Sequence, residues 1–263
     1  GFRPFYLGAA VFACLAIPMW VLLFLGRTDR APVLPPFLWH AHEMLFGFAA
    51  AVIVGFLMTA GKAWTGLPTP RGGALAALVL LWLLARIAPW VAPYPVFAAL
   101  DLMLLPVAAI VLVRLLLRAD NRRNLPLAGL LGALALANLV FHLSVLAYLP
   151  LPPVQALYAA LALIVLIETV MAGRVIPAFT MNALAGLRIK VDPRREKATA
   201  LASVAALAWW VFAPAHAAGA ALLALAAALG WASGFRLYAV VFLVGLAGAV
   251  GWIALPAGLT VLQ

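Results

Sequence analysis

Charged residues are scarce in this chain, and acidic residues are the scarcest. Only 9% of the 263 residues are Asp, Glu, Lys or Arg, whereas 68% are hydrophobic, and the mean hydropathy is +1.17. No segment has enough charge to form the surface of a soluble domain, so we expect a single integral membrane domain over residues 1–263. Cysteine is nearly absent too: Cys14 stands alone, which excludes a disulfide within the chain.

The few charges that are present are mostly basic. There are 17 Lys and Arg against 7 Asp and Glu, which gives a formal net charge of +10. Such an excess suits nucleic-acid binding, but here the basic residues lie in short segments between apolar runs. Membrane topology accounts for that placement, so we expect membrane lipid as a partner and no nucleic acid.

Apolar runs of membrane-spanning length recur from one end of the chain to the other. They are continuous and not alternating, which favours helices over a barrel. The sequence therefore predicts an all-α, polytopic transmembrane helix bundle of about nine spans. The predicted spans are 5–26, 38–60, 74–92, 96–117, 126–149, 153–173, 199–213, 215–231 and 238–262.

The distribution of basic residues predicts the orientation of the bundle. If the spans alternate in direction, all Lys and Arg except Arg27, Arg30 and Arg86 fall on one side of the membrane. Positive loops face the cytoplasm, so we expect the N-terminus to be cytoplasmic. The turn at residues 92–95 then faces outward.

All four histidines fall near the outer face on this topology: His40, His42, His142 and His216. An imidazole inside a membrane is costly unless it has a partner, and neutral imidazole is a common ligand of haem iron and copper. His40 and His42 are two residues apart and project to nearly opposite helix faces. Only one of them is therefore expected to meet His142, as a haem or metal ligand, with hydrogen bonding between helices or to lipid headgroups as the alternative.

Four further polar residues lie within the predicted spans. Arg86 and Asp101 flank a short turn, so we expect them to form an ion pair near the outer surface, while Arg86 or Arg27 is also a candidate to bind a haem propionate. Glu43 follows His42 directly. Glu168 lies apart, toward the inner half of its span, where it is either a proton-path carboxylate or a protonated, hydrogen-bonded side chain.

Four segments resemble the NnrS family of bacterial membrane proteins: GFRPFYLGAAVFACLAIPMW, WHAHEMLFGFAAAVIVGFLMTA, RNLPLAGLLGALALANLVFHL and GRVIPAFTMNAL. The resemblance implies a haem- and copper-containing protein of the bacterial inner membrane, linked to the nitric oxide response and often to denitrification. It also implies a role for the residues that stand inside the matching motifs, namely His40, His42, Glu43 and His142. The likeness runs from residue 1 to about 190 and then fades, so we expect a fragment or a truncated member.

A second, weaker similarity involves the second span. HAHEMLFGFAAAVIVGF resembles the second helix of subunit I of the haem-copper oxidases. In those proteins a histidine four residues before a methionine ligates the low-spin haem, and here that spacing selects His40 with Met44. This likeness implies a haem toward the outer face.

These observations lead to one expectation of function and two alternatives. The expected function is an NnrS-type membrane protein that senses, handles or protects against a nitric oxide species. A turnover enzyme is not expected, because the three copper histidines of an oxidase centre are lacking. One alternative is a small-molecule or ion transporter that uses Asp101 and Glu168. The other is a quinol-oxidising membrane enzyme in which Glu168 carries protons.

Overall fold

A computed structural model describes residues 2–183 and 193–213, and within those ranges the chain is helical, without strands. A short 3₁₀ turn, Arg122–Asn124, leads into the fifth helix. The helices are α1 (Arg3–Phe24), α2 (Pro36–Thr65), α3 (Gly73–Val91), α4 (Tyr94–Arg118), α5 (Leu125–Val145), α6 (Pro153–Ala183) and α7 (Pro193–Phe212).

Six of these helices are long and apolar enough to cross a membrane: α1 to α5, and Pro153–Pro177 of α6. They coincide with the first six predicted spans to within a few residues at each boundary, so the chain is a helical membrane protein. The seventh predicted span, 199–213, falls in α7, whose apolar part, Lys197–Phe212, is shorter than 18 residues. The last two predicted spans lie outside the described residues, so neither the count of nine nor the side of the N-terminus is confirmed.

The chain divides into two compact units, residues 1–167 and 168–263. In the first unit α4 packs against α3 and α5, while α2 packs against α1 and α4. In the apolar stretch of α2, 56% of the residues are buried, against 17% in α1. Helix α2 is therefore central to this unit, and α1 presents most of its surface outward.

Proline stands at the start of several helices, and a short turn brings the end of α3 close to the start of α4. Pro4, Pro36 and Pro95 stand in the first turn of α1, α2 and α4, where a missing N–H costs nothing. Helix α3 ends at Val91 and α4 begins at Tyr94. Because so short a connection folds the two helices back on each other, the end of α3 and the start of α4 lie together.

Helix α2 is π-helical in its first half, over Glu43–Ala49. The indole Nε1 of Trp82, on α3, donates a hydrogen bond to the Gly47 carbonyl at 2.9 Å. A Cβ atom at Gly47 would lie 2.8 Å from Arg86 Nη1, so glycine is what allows α3 to approach here. Single π turns within helices often mark functional sites, and this one carries Glu43.

Candidate metal centre

A group of polar side chains lies between the helices of the first unit, and we call it the polar cluster. The histidines and carboxylates in it are fully buried or nearly so. Its members come from the start of α2, the end of α3, the start of α4 and the end of α5, so all lie toward one end of the bundle. They are His42, Glu43, Arg86, Tyr94, Asp101, Asn138 and His142.

The Asp101 carboxylate is the centre of the cluster. Its Oδ1 accepts a hydrogen bond from Arg86 Nη2. Its Oδ2 lies 3.2 Å from His42 Nε2 and 3.1 Å from His142 Nε2. The amide of Asn138 also donates to Oδ2, at 2.6 Å. One oxygen is thus committed to the arginine, while the other faces two imidazoles.

Glu43 provides the second carboxylate. Its Oε2 accepts a hydrogen bond from Arg86 Nη1 at 2.7 Å, and its Oε1 lies 3.3 Å from His42 Nδ1. Two carboxylates and one guanidinium leave one formal negative charge before either imidazole is counted. A buried charge is costly when it is unpaired, so this arrangement favours one further positive charge, either a proton on an imidazole or a bound cation.

The expected ion pair between Arg86 and Asp101 is confirmed. The short turn between α3 and α4 is the reason, since it places both residues at the same end of two antiparallel helices. The pair is more deeply embedded than the sequence indicated, because Arg86 bridges Asp101 to Glu43. Both terminal nitrogens of Arg86 thus bind protein carboxylates, while its buried Nε has no hydrogen-bond partner among the described residues, and a role in holding a haem propionate remains a prediction.

Of the two neighbouring histidines, His42 faces His142 and His40 does not. The rings of His42 and His142 have centroids 5.4 Å apart. His40 instead stacks on Trp20 of α1, with centroids at 4.2 Å and an interplanar angle of 18°. The expectation that only one of the two meets His142 is confirmed. The assignment of His40 to haem by its spacing from Met44 stays a prediction.

Two members of the cluster were not anticipated from the sequence. Tyr94 Oη lies 2.8 Å from His142 Nδ1, and Asn138 Oδ1 lies 3.1 Å from His42 Nε2. A signal for Asn138 existed, because it lies one helical turn before His142 in an otherwise apolar segment. Tyr94 had no comparable signal, since a tyrosine in a turn at a membrane surface is common.

The remaining predicted polar residues include Glu168 and His216. Glu168 lies on α6 in the second unit, and its side chain is exposed. His216 lies outside the described residues. In the described part of the first unit the buried charges gather toward one end of the helices, not at mid-length. That distribution does not favour the transporter alternative, which places its polar groups near the midplane.

Three side chains of the cluster could hold one metal ion. His42, Asp101 and His142 each offer one ligand atom, and these atoms lie within 4.8 Å of one another. Adjacent ligands bonded at about 2.1 Å are roughly 3.0–3.4 Å apart, which matches both Nε2-to-Oδ2 distances above. In addition, each imidazole has Nδ1 beside an oxygen, of Glu43 or Tyr94. When Nδ1 is the donor in such a contact, Nε2 carries the lone pair, and a metal ion bound there would take the place of its present hydrogen bond to Asp101.

A haem does not fit between these two imidazoles. The region around their Nε2 atoms holds the Asp101 carboxylate and the Asn138 amide. The rings of Phe97 and Phe141 each contact both imidazoles, at centroid distances of 4.7–5.6 Å. A porphyrin, much wider than an imidazole, would have to displace all four. The site suits a bare metal ion, and we assign no role here to haem.

The fold and the cluster define a class: a polytopic helical membrane protein with a buried histidine–carboxylate site. The family model described as "NnrS protein" matches residues 1–263, so the chain belongs to the NnrS family. Comparison with curated proteins and with solved structures found no match.

The family match also corrects one expectation. The likeness does not stop near residue 190 but covers the whole chain. The later segments are rich in alanine and leucine, which are common to many membrane helices, so inspection of motifs alone underestimated the extent of the likeness.

Proposed function

We propose that this chain acts in the nitric oxide response at the bacterial inner membrane, and that it does so with a metal ion held by His42, Asp101 and His142. The observation that carries the proposal is the convergence of these three ligand atoms in a buried site. Membership of the NnrS family supports the link to nitric oxide and the inner membrane. The partners are then the surrounding lipid and a nitric oxide species.

The remaining members of the cluster hold the ligands in place. Arg86 bridges Asp101 and Glu43, which fixes the direction of the Asp101 carboxylate. Glu43 and Tyr94 contact the Nδ1 atoms of the two imidazoles and so orient their Nε2 atoms. When bound, the metal supplies a position for a small ligand within a site that excludes bulk water.

The resemblance implies two cofactors, copper and haem, and they require different binding positions in this chain. Copper(II) accepts imidazole and carboxylate ligands, and the site formed by His42, Asp101 and His142 offers both.

Haem requires a different position, and His40 is the predicted ligand. Its ring is partly exposed, and Nδ1 has no hydrogen-bond partner among the described residues. Loss of a visible haem absorption band in His40→Ala, with insertion retained, is the expected result; an unchanged band contradicts it.

The metal proposal is tested by two measurements: growth of cells exposed to nitric oxide, and the metal content of the purified protein. A denitrifying host that lacks its own NnrS protein is complemented with the chain or with His142→Gln, and growth is compared with and without nitric oxide. We expect His142→Gln to lose both protection and bound metal. The matched control is Ser144→Ala, which removes a buried hydroxyl from the same helix outside the cluster. Full metal content and protection in His142→Gln would contradict the proposal.

A further inference from the structure

We infer that His42, Asp101 and His142 form a mononuclear non-haem iron(II) site whose open coordination positions bind nitric oxide itself. This inference rests on the proposed function, in that it requires the three residues to bind a metal. It goes further by naming the metal and the ligand. Two histidines and one carboxylate with open positions are the donor set typical of non-haem iron(II).

The first argument is the number of donor atoms. Arg86 occupies Oδ1 of Asp101, so the carboxylate presents only Oδ2 to an ion. With one nitrogen from each imidazole, these three residues supply three donor atoms. Iron(II) accepts more than three ligands, so positions remain for a small molecule.

The second argument is the chemical character of the donors. The three residues offer nitrogen and oxygen and no sulfur. Copper(I) prefers thiolate or thioether ligands, whereas imidazole and carboxylate suit iron(II). The lone thiol, Cys14, is exposed on α1 and is not one of the three. The donor set therefore favours iron(II) over copper(I).

The third argument is the surroundings of the site. The His42 ring contacts those of Phe46, Phe97 and Phe141, at centroid distances of 4.7–5.6 Å. An apolar shell of this kind limits the access of water and ions to a metal. Nitric oxide is small and uncharged, so the same shell admits it. Binding forms one bond, between nitrogen and iron; no covalent bond of the protein breaks, and no outside electron donor is needed.

The experiment uses the full chain, purified without oxygen and loaded with iron(II) alone. Nitric oxide is then added, and the sample is examined by electron paramagnetic resonance. We expect one iron per chain and the quartet signal of a non-haem iron nitrosyl. Pulsed measurements should show magnetic coupling to nitrogen atoms of two imidazoles, and this readout needs no variant.

Substitutions then assign the signal to the site. His142→Gln should lose the signal, because glutamine replaces a ligand nitrogen yet can still hydrogen-bond to Asp101. Ser144→Ala should keep it. If His142→Gln does not insert, the number of coupled imidazole nitrogens in the unmodified chain decides the matter.

The contrary results separate failure of the iron(II) inference from failure of the metal site itself. Iron that binds but gives no nitrosyl signal overturns this inference and leaves the metal site intact. So does stable binding of copper or zinc with no retention of iron. A haem nitrosyl signal that survives His142→Gln overturns the inference as well. A chain that holds no metal ion overturns both this inference and the metal proposal, and leaves the cluster as a network of buried ion pairs.

Discussion

The helices of the first unit bury polar and charged side chains toward one end and apolar side chains toward the other. At one end α2, α3, α4 and α5 meet through the polar cluster around Asp101. At the other end α2, α4 and α5 bury apolar side chains, including Met58, Leu112 and Leu127. There Gly61 allows close packing, since a Cβ atom at this position would lie 2.9 Å from Leu115 Cδ2.

This difference shows what each end contributes in a membrane. Lipid tails are as apolar as leucine, so burying Leu112 against a helix gains little over leaving it in lipid, apart from better packing. An ionised carboxylate such as Asp101 has no such substitute in lipid and must find its protein partners. The polar end therefore fixes how the helices are rotated, and the apolar end tolerates adjustment.

Asp101→Ala should have the largest effect. It leaves Arg86 with Glu43 alone and removes the acceptor shared by the two imidazoles, so we expect a loss of about 3–5 kcal/mol in the free energy of unfolding. Denaturant titration in detergent measures it. The control is Asp120→Asn, because the Asp120–Arg122 pair is more than 80% exposed and should contribute below about 1 kcal/mol. Equal losses in the two variants would mean that the cluster is not a buried network.

Gly47→Ala should come next. The new methyl group meets Arg86 Nη1 at 2.8 Å and Glu43 Oε2 at 3.0 Å, which are engaged with each other and cannot easily move. We expect a loss of about 1–3 kcal/mol in the free energy of unfolding. Thermal unfolding in detergent is the measurement, and parental stability would show that the ion pair adapts without cost.

Tyr94→Phe should have a smaller effect. It removes the hydroxyl beside His142 Nδ1 and leaves the ring in place, at a cost of about 1 kcal/mol, as is typical of one hydrogen bond. The metal-dependent stabilisation should fall as well, because that imidazole is no longer oriented. Tyr148→Phe, at an exposed position after α5, is the control. No difference between the two variants, with and without added metal, would remove Tyr94 from the site.

Gly61→Ala should have the smallest effect and completes the comparison with Gly47→Ala. The atoms that the new methyl group meets are side-chain ends of Leu112 and Leu115, which can shift. The gain in helix propensity, about 1 kcal/mol, offsets the crowding. We expect a net change near zero in the same thermal assay. A loss as large as that of Gly47→Ala would show that the apolar end is as rigid as the polar end.

Several features of the site could be predicted because they depend on local sequence. The pairing of Arg86 with Asp101 follows from two apolar runs joined by a short turn. The divergence of His40 from His42 follows from helical periodicity. Tyr94 and the π-helical turn of α2 could not be predicted from local sequence, because each depends on how one helix is rotated against another. Asn138 had a local signal, one helical turn before His142, but its contact with His42 depends on the same rotation.

Long, continuous apolar runs and the family motifs before about residue 190 were enough to define a bundle of membrane helices of the NnrS family, since continuous runs favour helices over a closed barrel in lipid. The tertiary structure alone decided that His42 and not His40 joins Asp101 and His142. The physical reason is that ligand atoms from three helices converge only when helix rotation and axial position are set together, and those depend on contacts between residues far apart in the chain.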